Sequence, residues 1–291
     1  MTDYTELFRA LAIPRLVGTP NHQQVREILK RELSARGFAV EEHAFSGRPS
    51  PMSLGSPRRI AGVNLIARPT GPSAHRPIWI VAHYDSKGQP ISMAVRLMGF
   101  LALVAGLVGL PLSPVLAALL LLIALLIISQ NRVTDNSPGA VDNATALVTV
   151  FMALDQLPDN RAVGVIFSDA EEFGLLGARA LAGERAALFA DACVVNLDGL
   201  DDAGRPMALL HKPGAIGMAV AAALGARRAR WLPVIVDGIA LATVAAECCT
   251  ILKGDWRTMR IVHRPGDTAA RVRLDGAAAV AAGLARVLRT A

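Results

Sequence analysis

Short apolar runs with the character of strands recur along the chain, each followed by a stretch with helical spacing. VNLIAR (63–68), PIWIVAHYD (77–85), AVGVIFSD (162–169) and ACVVNLDG (192–199) are such runs. Their nearly continuous hydrophobicity predicts strands buried on both faces. ATALVTVFMALDQL, GLLGARALAGERAAL and GAIGMAVAAALGARRA read as the helices between and after them. Ahead of these, residues 20–36 place Val25, Ile28, Leu29 and Leu33 on one helical face, and FAVEEHAF follows Gly37 as a strand. Toward the C-terminus LPVIVDG reads as a strand, ALATVAAECCTIL as a helix, TMRIVH as a last strand and DGAAAVAAGLARVLRT as a closing helix. The alternation predicts an α/β fold, a three-layer sandwich with a central mixed, mostly parallel sheet. A chain of 291 residues suits one domain spanning 1–291.

Charge narrows the function classes. Lys plus Arg number 30 against 24 Asp plus Glu, a net +6, but the basic residues are scattered and their densest group is the short RRAR at 227–230. Few aromatics lie between them, which argues against nucleic-acid binding. Cys193 stands in an apolar run, and Cys248 and Cys249 are adjacent, so the cysteines form neither a disulfide framework nor a metal-site spacing. A reducing compartment is expected. The first residues carry acids before any apolar stretch and do not read as a signal peptide.

Ionisable groups collect where the predicted strands end: His83 and Asp85, Asp169 to Glu172, Asp198 and His263. In open α/β sheets the ligand crevice lies beyond the carboxyl ends of the strands, so distant segments can deliver these groups to one place. His83 and Asp85 are two residues apart, a spacing that puts an imidazole and a carboxylate on one side of an extended chain. Asp142, between Gly139 and a predicted helix, reads either as a helix cap with Asn143 or as a carboxylate shared by two cations. Glu171 and Glu172 read either as solvated acids or as a metal ligand beside a proton acceptor. Two imidazoles with three carboxylates form a donor set suited to zinc, cobalt or manganese. His211 and the paired cysteines read as structural, and His22, His43 and His75 as surface or loop residues.

The ordered fragments VAHYDS, GAVDNATA, SDAEEFGLLGAR, NLDG and HRPGDT closely resemble those of the M28 family of zinc exopeptidases. The resemblance implies two zinc ions. His83 and Asp198 would be terminal ligands of one ion, Glu172 and His263 of the other, with Asp142 bridging them. It further implies Glu171 as general base and Asp85 as the carboxylate behind His83. The implied activity is that of an aminopeptidase acting on a peptide or small amide, the zinc pair activating the water that attacks the N-terminal peptide bond. A glutaminyl-cyclase-like transferase with a single zinc, or a noncatalytic binding protein of the same fold, are the competing implications. Two departures stand out: Ala146 where family members commonly have glycine, and a stretch before His263 that lacks the usual polar and aromatic pattern of a pocket wall.

Fifty-six residues separate Asp85 from Asp142, and Leu97 to Ser129 is a run of 33 without a charge. It accounts for a high mean hydropathy of +0.41. Pro111 and Pro114 divide it, so residues 91–130 are expected to form a helical hairpin that crosses or re-enters a membrane. Its flanks carry Lys87, Arg96 and Arg132, which would put the catalytic part on the cytoplasmic side of a bacterial inner membrane. The alternative is a soluble cytoplasmic protein whose hairpin packs against the domain or is buried in a dimer interface.

Overall fold

The computed structural model describes residues 2–51, 53–69, 77–158 and 163–290. In chain order its elements are α1 (Tyr4–Leu11), α2 (Pro20–Ala35), β1 (Phe38–Gly47), β2 (Ile60–Pro69), β3 (Ile78–His83), α3 (Met93–Gly109), α4 (Pro114–Ser129), α5 (Thr145–Leu154), β4 (Val163–Ser168), α6 (Leu176–Glu184), β5 (Cys193–Leu200), β6 (Arg205–Lys212), α7 (Ala215–Ala223), β7 (Arg227–Ala229), α8 (Asp237–Leu241), β8 (Glu247–Gly254), α9 (Thr258–Ile261) and α10 (Asp275–Leu288).

The strands form one sheet in the order β1-β2-β4-β3-β5-β8-β6-β7. The central strands β4, β3, β5 and β8 run parallel, and antiparallel β2 and β6 flank them. Alternate side chains of each central strand feed opposite faces, as the period of two requires. Ile78, Ile80 and Ala82 of β3 join Val165, Phe167, Val195 and Ile251 in a large core under α1, α2, α5, α7 and α10. Trp79 and Val81 point the other way, into a smaller core with Val194, Leu181 and Leu241 beneath α6 and α8. The expected three-layer α/β arrangement with a mixed sheet is therefore what the chain adopts. Both faces of the sheet being covered explains why the central strands read as unbroken apolar runs.

Three C-terminal assignments are corrected. ALATVAAECCTIL yields the central strand β8 rather than a helix, and both of its cysteines are buried. LPVIVDG contributes no strand and leads into α8, with Ile235 exposed. TMRIVH supplies the short helix α9, whose start is capped by the Asp255 carboxylate accepting from the amides of Arg257 (2.7 Å) and Thr258 (3.2 Å). RRAR supplies β7 on the sheet edge. His75 falls outside the described residues.

The apolar insert is a pair of packed helices, α3 and α4. Within them only Gly99, Gly106, Ala117 and Ala124 are buried. A Cβ on Gly99 would come within 2.6 Å of Ile127 and one on Gly106 within 2.8 Å of Leu121, so small residues set the close approach. The crossing version of the membrane expectation is not supported: no helix among the described residues is long and apolar enough to cross a membrane. At 17 and 16 residues the two helices rise about 24 to 26 Å against a hydrocarbon core of about 30 Å. Of the three flanking charges, Lys87 and Arg96 turn into the protein, and Arg132 alone is exposed.

Candidate active site

The strand ends deliver the side chains. His83 is the last residue of β3, Glu171 and Glu172 follow β4 after Ala170 at φ 55°, and Asp198 lies near the end of β5. Asp142 sits in the irregular turn Ala140–Ala144 ahead of α5. Its peptide to Asn143 is cis. His263 follows α9 at φ 62°. All seven sequence-expected site residues are at most slightly exposed or partly buried around one point.

Asp142 stands at the centre. Its Oδ1 is 3.1 Å from Nε2 of His83 and its Oδ2 is 2.8 Å from Nε2 of His263, which also lies 3.0 Å from Oε1 of Glu172. Two clusters result, His83 with Asp142 and Asp198, and Asp142 with Glu172 and His263; ligand atoms within each lie inside 4.8 Å of one another. Both share Asp142. Glu171 belongs to neither cluster. Three atoms that face this centre, Nε2 of His83, Oδ1 of Asp142 and Oε1 of Glu172, are buried with no hydrogen-bond partner. Unsatisfied buried lone pairs converging at such distances fit cations, since orphaned polar atoms are otherwise costly. The donor set of two imidazoles and three carboxylates suits zinc.

Supporting contacts hold these groups in place. Nδ1 of His83 donates to the backbone carbonyl of Asp85 at 3.2 Å, while the Asp85 carboxylate stands 3.4 Å away. That carboxylate accepts from the amides of Glu171 (3.1 Å) and Glu172 (3.2 Å), so Asp85 aligns the acid pair as well as the histidine. Neither Asp142 nor Asn143 caps α5. Instead Asn143 donates to the carbonyl of Leu197 (3.0 Å) and accepts from Gly199 (3.1 Å), fixing the turn on either side of Asp198. Gly139, at φ 56°, is required there: a Cβ would lie 2.3 Å from the carbonyl oxygen of Asp142.

Sequence reasoning missed several residues of this neighbourhood. Asp267 accepts from the amides of Val141 (2.9 Å) and Asp142 (3.2 Å), and burial pushes its carboxyl up to about 6. The HRPGDT fragment contained it without pointing to that task. Arg15 is fully buried and donates to the carbonyls of Tyr84 (2.7 Å), Pro138 (2.6 Å) and Gly139 (3.0 Å). Lys87 donates to the carbonyl of Glu172 at 2.6 Å and pairs with its carboxylate at 3.2 Å. His22, read as a surface residue, is buried, 2.8 Å from Asp169 and stacked on Tyr84. His43 is likewise buried, between Asn64 (3.1 Å) and Glu184 (2.9 Å). His211 keeps its structural reading, bonded to Thr250 at 2.8 Å, with burial lowering its pKa to about 4.

His263 is also tied to the foot of the hairpin. The amide of Gln89 donates to its carbonyl at 2.8 Å, and Oε1 of Gln89 stands 3.2 Å from its Nδ1. The Gln89 side chain bonds across the foot to Asn131. Arg96, in the first turn of α3, brings Nη2 within 2.6 Å of the same Nδ1. The glutamine oxygen accepts a proton and the guanidinium donates one, so only the glutamine bond leaves Nε2 a lone pair for a cation.

Electrostatics divide the acids. Burial raises the Glu171 carboxyl well above its ordinary value, and Glu172, Asp198 and Asp237 push it further against the opposing charge of His83. Asp198 is raised in the same way, by burial first. For Glu172 burial is outweighed by His263 and Lys87, which bring it to about 2. Burial is also outweighed at Asp142, which His263 and His83 hold well below the usual range. Raised acids crowded beside depressed ones mark surplus negative charge, which bound cations would neutralise.

The sequence profile of peptidase family M28 matches residues 64–288, which takes in both clusters. The chain belongs to peptidase family M28. The M28 fold recurs in solved structures: a glutaminyl cyclase from Porphyromonas gingivalis at 18% identity and TM-score 0.67, covering 98% of this chain and 96% of that one. An aminopeptidase from Aneurinibacillus sp. strain AM-1 is 11% identical with a TM-score of 0.64, over 97% and 92% of the two chains. A zinc aminopeptidase from Bacillus subtilis, also 11% identical and at 0.64, covers 96% and 93%. No curated protein matches the sequence. Membership in M28 makes the chain an enzyme of a peptidase family.

Proposed function

We propose that this M28 member is a two-zinc aminopeptidase that removes N-terminal residues from peptides. The observation that carries the reading is the pair of three-residue clusters sharing Asp142, with Glu171 adjacent but outside both. His83 and Asp198 would hold one ion and Glu172 and His263 the other, with Asp142 common to both. When bound, the zinc pair would polarise the scissile carbonyl and acidify the attacking water.

The remaining chemistry rests on the chain's own groups. A carboxylate oxygen of Glu171 takes the proton from the water and returns it to the leaving amine. Asp85, through the amides of Glu171 and Glu172, fixes the direction in which the acid pair points. Neither a serine nor a cysteine nucleophile is required.

A glutaminyl-cyclase-like reading is favoured by one observation, the structural likeness to cyclases at a TM-score of 0.67. Incubation with a peptide that begins with glutamine separates the two. Release of free glutamine supports the aminopeptidase, whereas a cyclised peptide with ammonia supports the transferase. Elemental analysis of the same preparation adds a second arm: about two zinc per chain are expected, and Asp142→Ala should lose at least one. Full metal retention in that variant would remove its bridging role.

A further inference from the structure

The exterior of the α3–α4 hairpin has a distribution of side chains that water does not favour. Met98, Phe100, Leu101, Val104, Leu107 and Val108 are exposed on α3 and Leu116, Leu119, Leu122, Ile123, Leu125 and Leu126 on α4. At the tip, Leu112 is 85% and Val115 84% exposed. Residues at successive positions, such as Leu107 with Val108 and Leu125 with Leu126, point in different directions around a helix. The exposed aliphatic surface therefore runs around the hairpin instead of forming a stripe. Contiguous apolar surface on this scale marks an interaction site.

We infer that the hairpin enters a lipid bilayer tip first and from one side. A partner protein, or a second copy of this chain, covers one face of a hairpin and leaves the rest wet; hydrocarbon surrounds it on every side. A helix lying flat at a membrane surface keeps one polar face, and α3 and α4 have none between Leu97 and Ser129. Through the body of each helix the backbone is bonded internally, as lipid demands, and at the tip the amides of Leu112 and Ser113 both donate to the carbonyl of Gly109 at 3.0 Å. Its length stops short of a full crossing, and the uncharged tip has no need to emerge.

The foot of the hairpin carries the groups expected at a headgroup layer. α9 packs against α3, and Arg264 after it donates to the carbonyl of Gln89 at 3.0 Å just before the hairpin. Arg260 of α9 stacks over the exposed Trp256 at 5.2 Å, and Arg257 beside them is exposed. Arg132 is exposed where α4 returns. Tryptophan and arginine at the base of an apolar rod match an anionic headgroup region. This inference is independent of the reaction catalysed.

Flotation of the full chain with vesicles tests it. With phosphatidylcholine alone, the chain should float and stay bound in high salt, because hydrocarbon contact is insensitive to screening. Added phosphatidylglycerol should strengthen binding at low salt, and Arg257→Glu with Arg260→Glu should remove that gain while leaving the salt-resistant part. Leu112→Glu with Val115→Glu puts two charges at the tip and should weaken binding about a hundredfold. Both positions are exposed, and an unchanged Tm would show that the domain is folded. If folded chain stays unbound with either vesicle, or if the tip charges leave flotation unchanged, the inference fails. It fails equally if sedimentation finds a dimer that the tip charges dissolve while vesicles bind nothing.

Discussion

Glu171 and Glu172 are neighbours in the chain, yet their surroundings drive them apart. Against its burial, His263 and Lys87 keep Glu172 ionised, whereas burial, reinforced by Glu172, Asp198 and Asp237 against the charge of His83, makes Glu171 resist losing its proton. This split is what the proposed roles of Glu172 as ligand and Glu171 as proton carrier require. Glu171→Gln keeps the volume and removes the basic oxygen, so zinc content should hold while turnover falls about 10²- to 10⁴-fold. Undiminished kcat in a metal-replete Glu171→Gln protein would overturn the assignment. His83, Glu171, Glu172 and Asp198 were legible because each stands at or just past the end of a buried apolar strand, whereas Asp142, in a turn ahead of α5, and His263, after the short helix α9, were legible through the fragments GAVDNATA and HRPGDT. Asp267 and Arg15 were not legible. Their work is done through backbone groups, and a carboxylate accepting amides or a guanidinium donating to carbonyls leaves no pattern in side-chain spacing.

Among the elements, strands β3, β4 and β5 were legible because both their faces are buried. The same property hid β8. An apolar run buried on both sides has no alternation, and the alanines before Glu247 favour a helix when nothing else decides. Tertiary context decides here: β8 lies between β5 and β6. For α9 the helix signal was present in Asp255, three residues ahead of Thr258, and was masked by the β-branched Ile261 and Val262. The hairpin was legible as two helices split by prolines, but its bond to His263 was not. The Gln89 side chain aligns His263 through Oε1, 3.2 Å from Nδ1, beside a backbone bond of 2.8 Å that any residue there would keep. Groups behind a metal ligand tune its affinity about 10- to 100-fold. Gln89→Ala should therefore weaken zinc retention by that order in a chelator competition, with Gln89→Glu restoring part of it. Equal zinc affinity in wild type and Gln89→Ala would show that the glutamine only closes the hairpin.

For the molecule as a whole, buried charge makes stability depend on pH and metal together. Asp237 and Asp267 are pushed by burial to about 6, against an unfolded value of about 3.9. Between those values the folded chain binds more protons than the unfolded one, so stability falls as pH rises. Glu171 and Asp198 act in the same direction. His83 and His263 are also raised, their acid partners outweighing burial, so their contribution is complete below about 6.5 and is lost as pH climbs through their folded values. Asp142 and Glu172, being lowered, matter only under more acidic conditions. Chelated protein should accordingly lose Tm from pH about 4 to about 7, and added zinc should raise Tm more at the upper end. Calorimetry at both ends, with and without chelator, checks this; a zinc gain that is larger in acid would contradict it.

Arg15 lies far ahead of the span that matches the family, residues 64–288, yet its guanidinium is clasped by carbonyls from the segments that carry Asp85 and Asp142. The opening stretch of the chain is thus a keystone and no mere preface. A protein trimmed to its family span would keep every acid of the centre and forfeit a cation that offsets them.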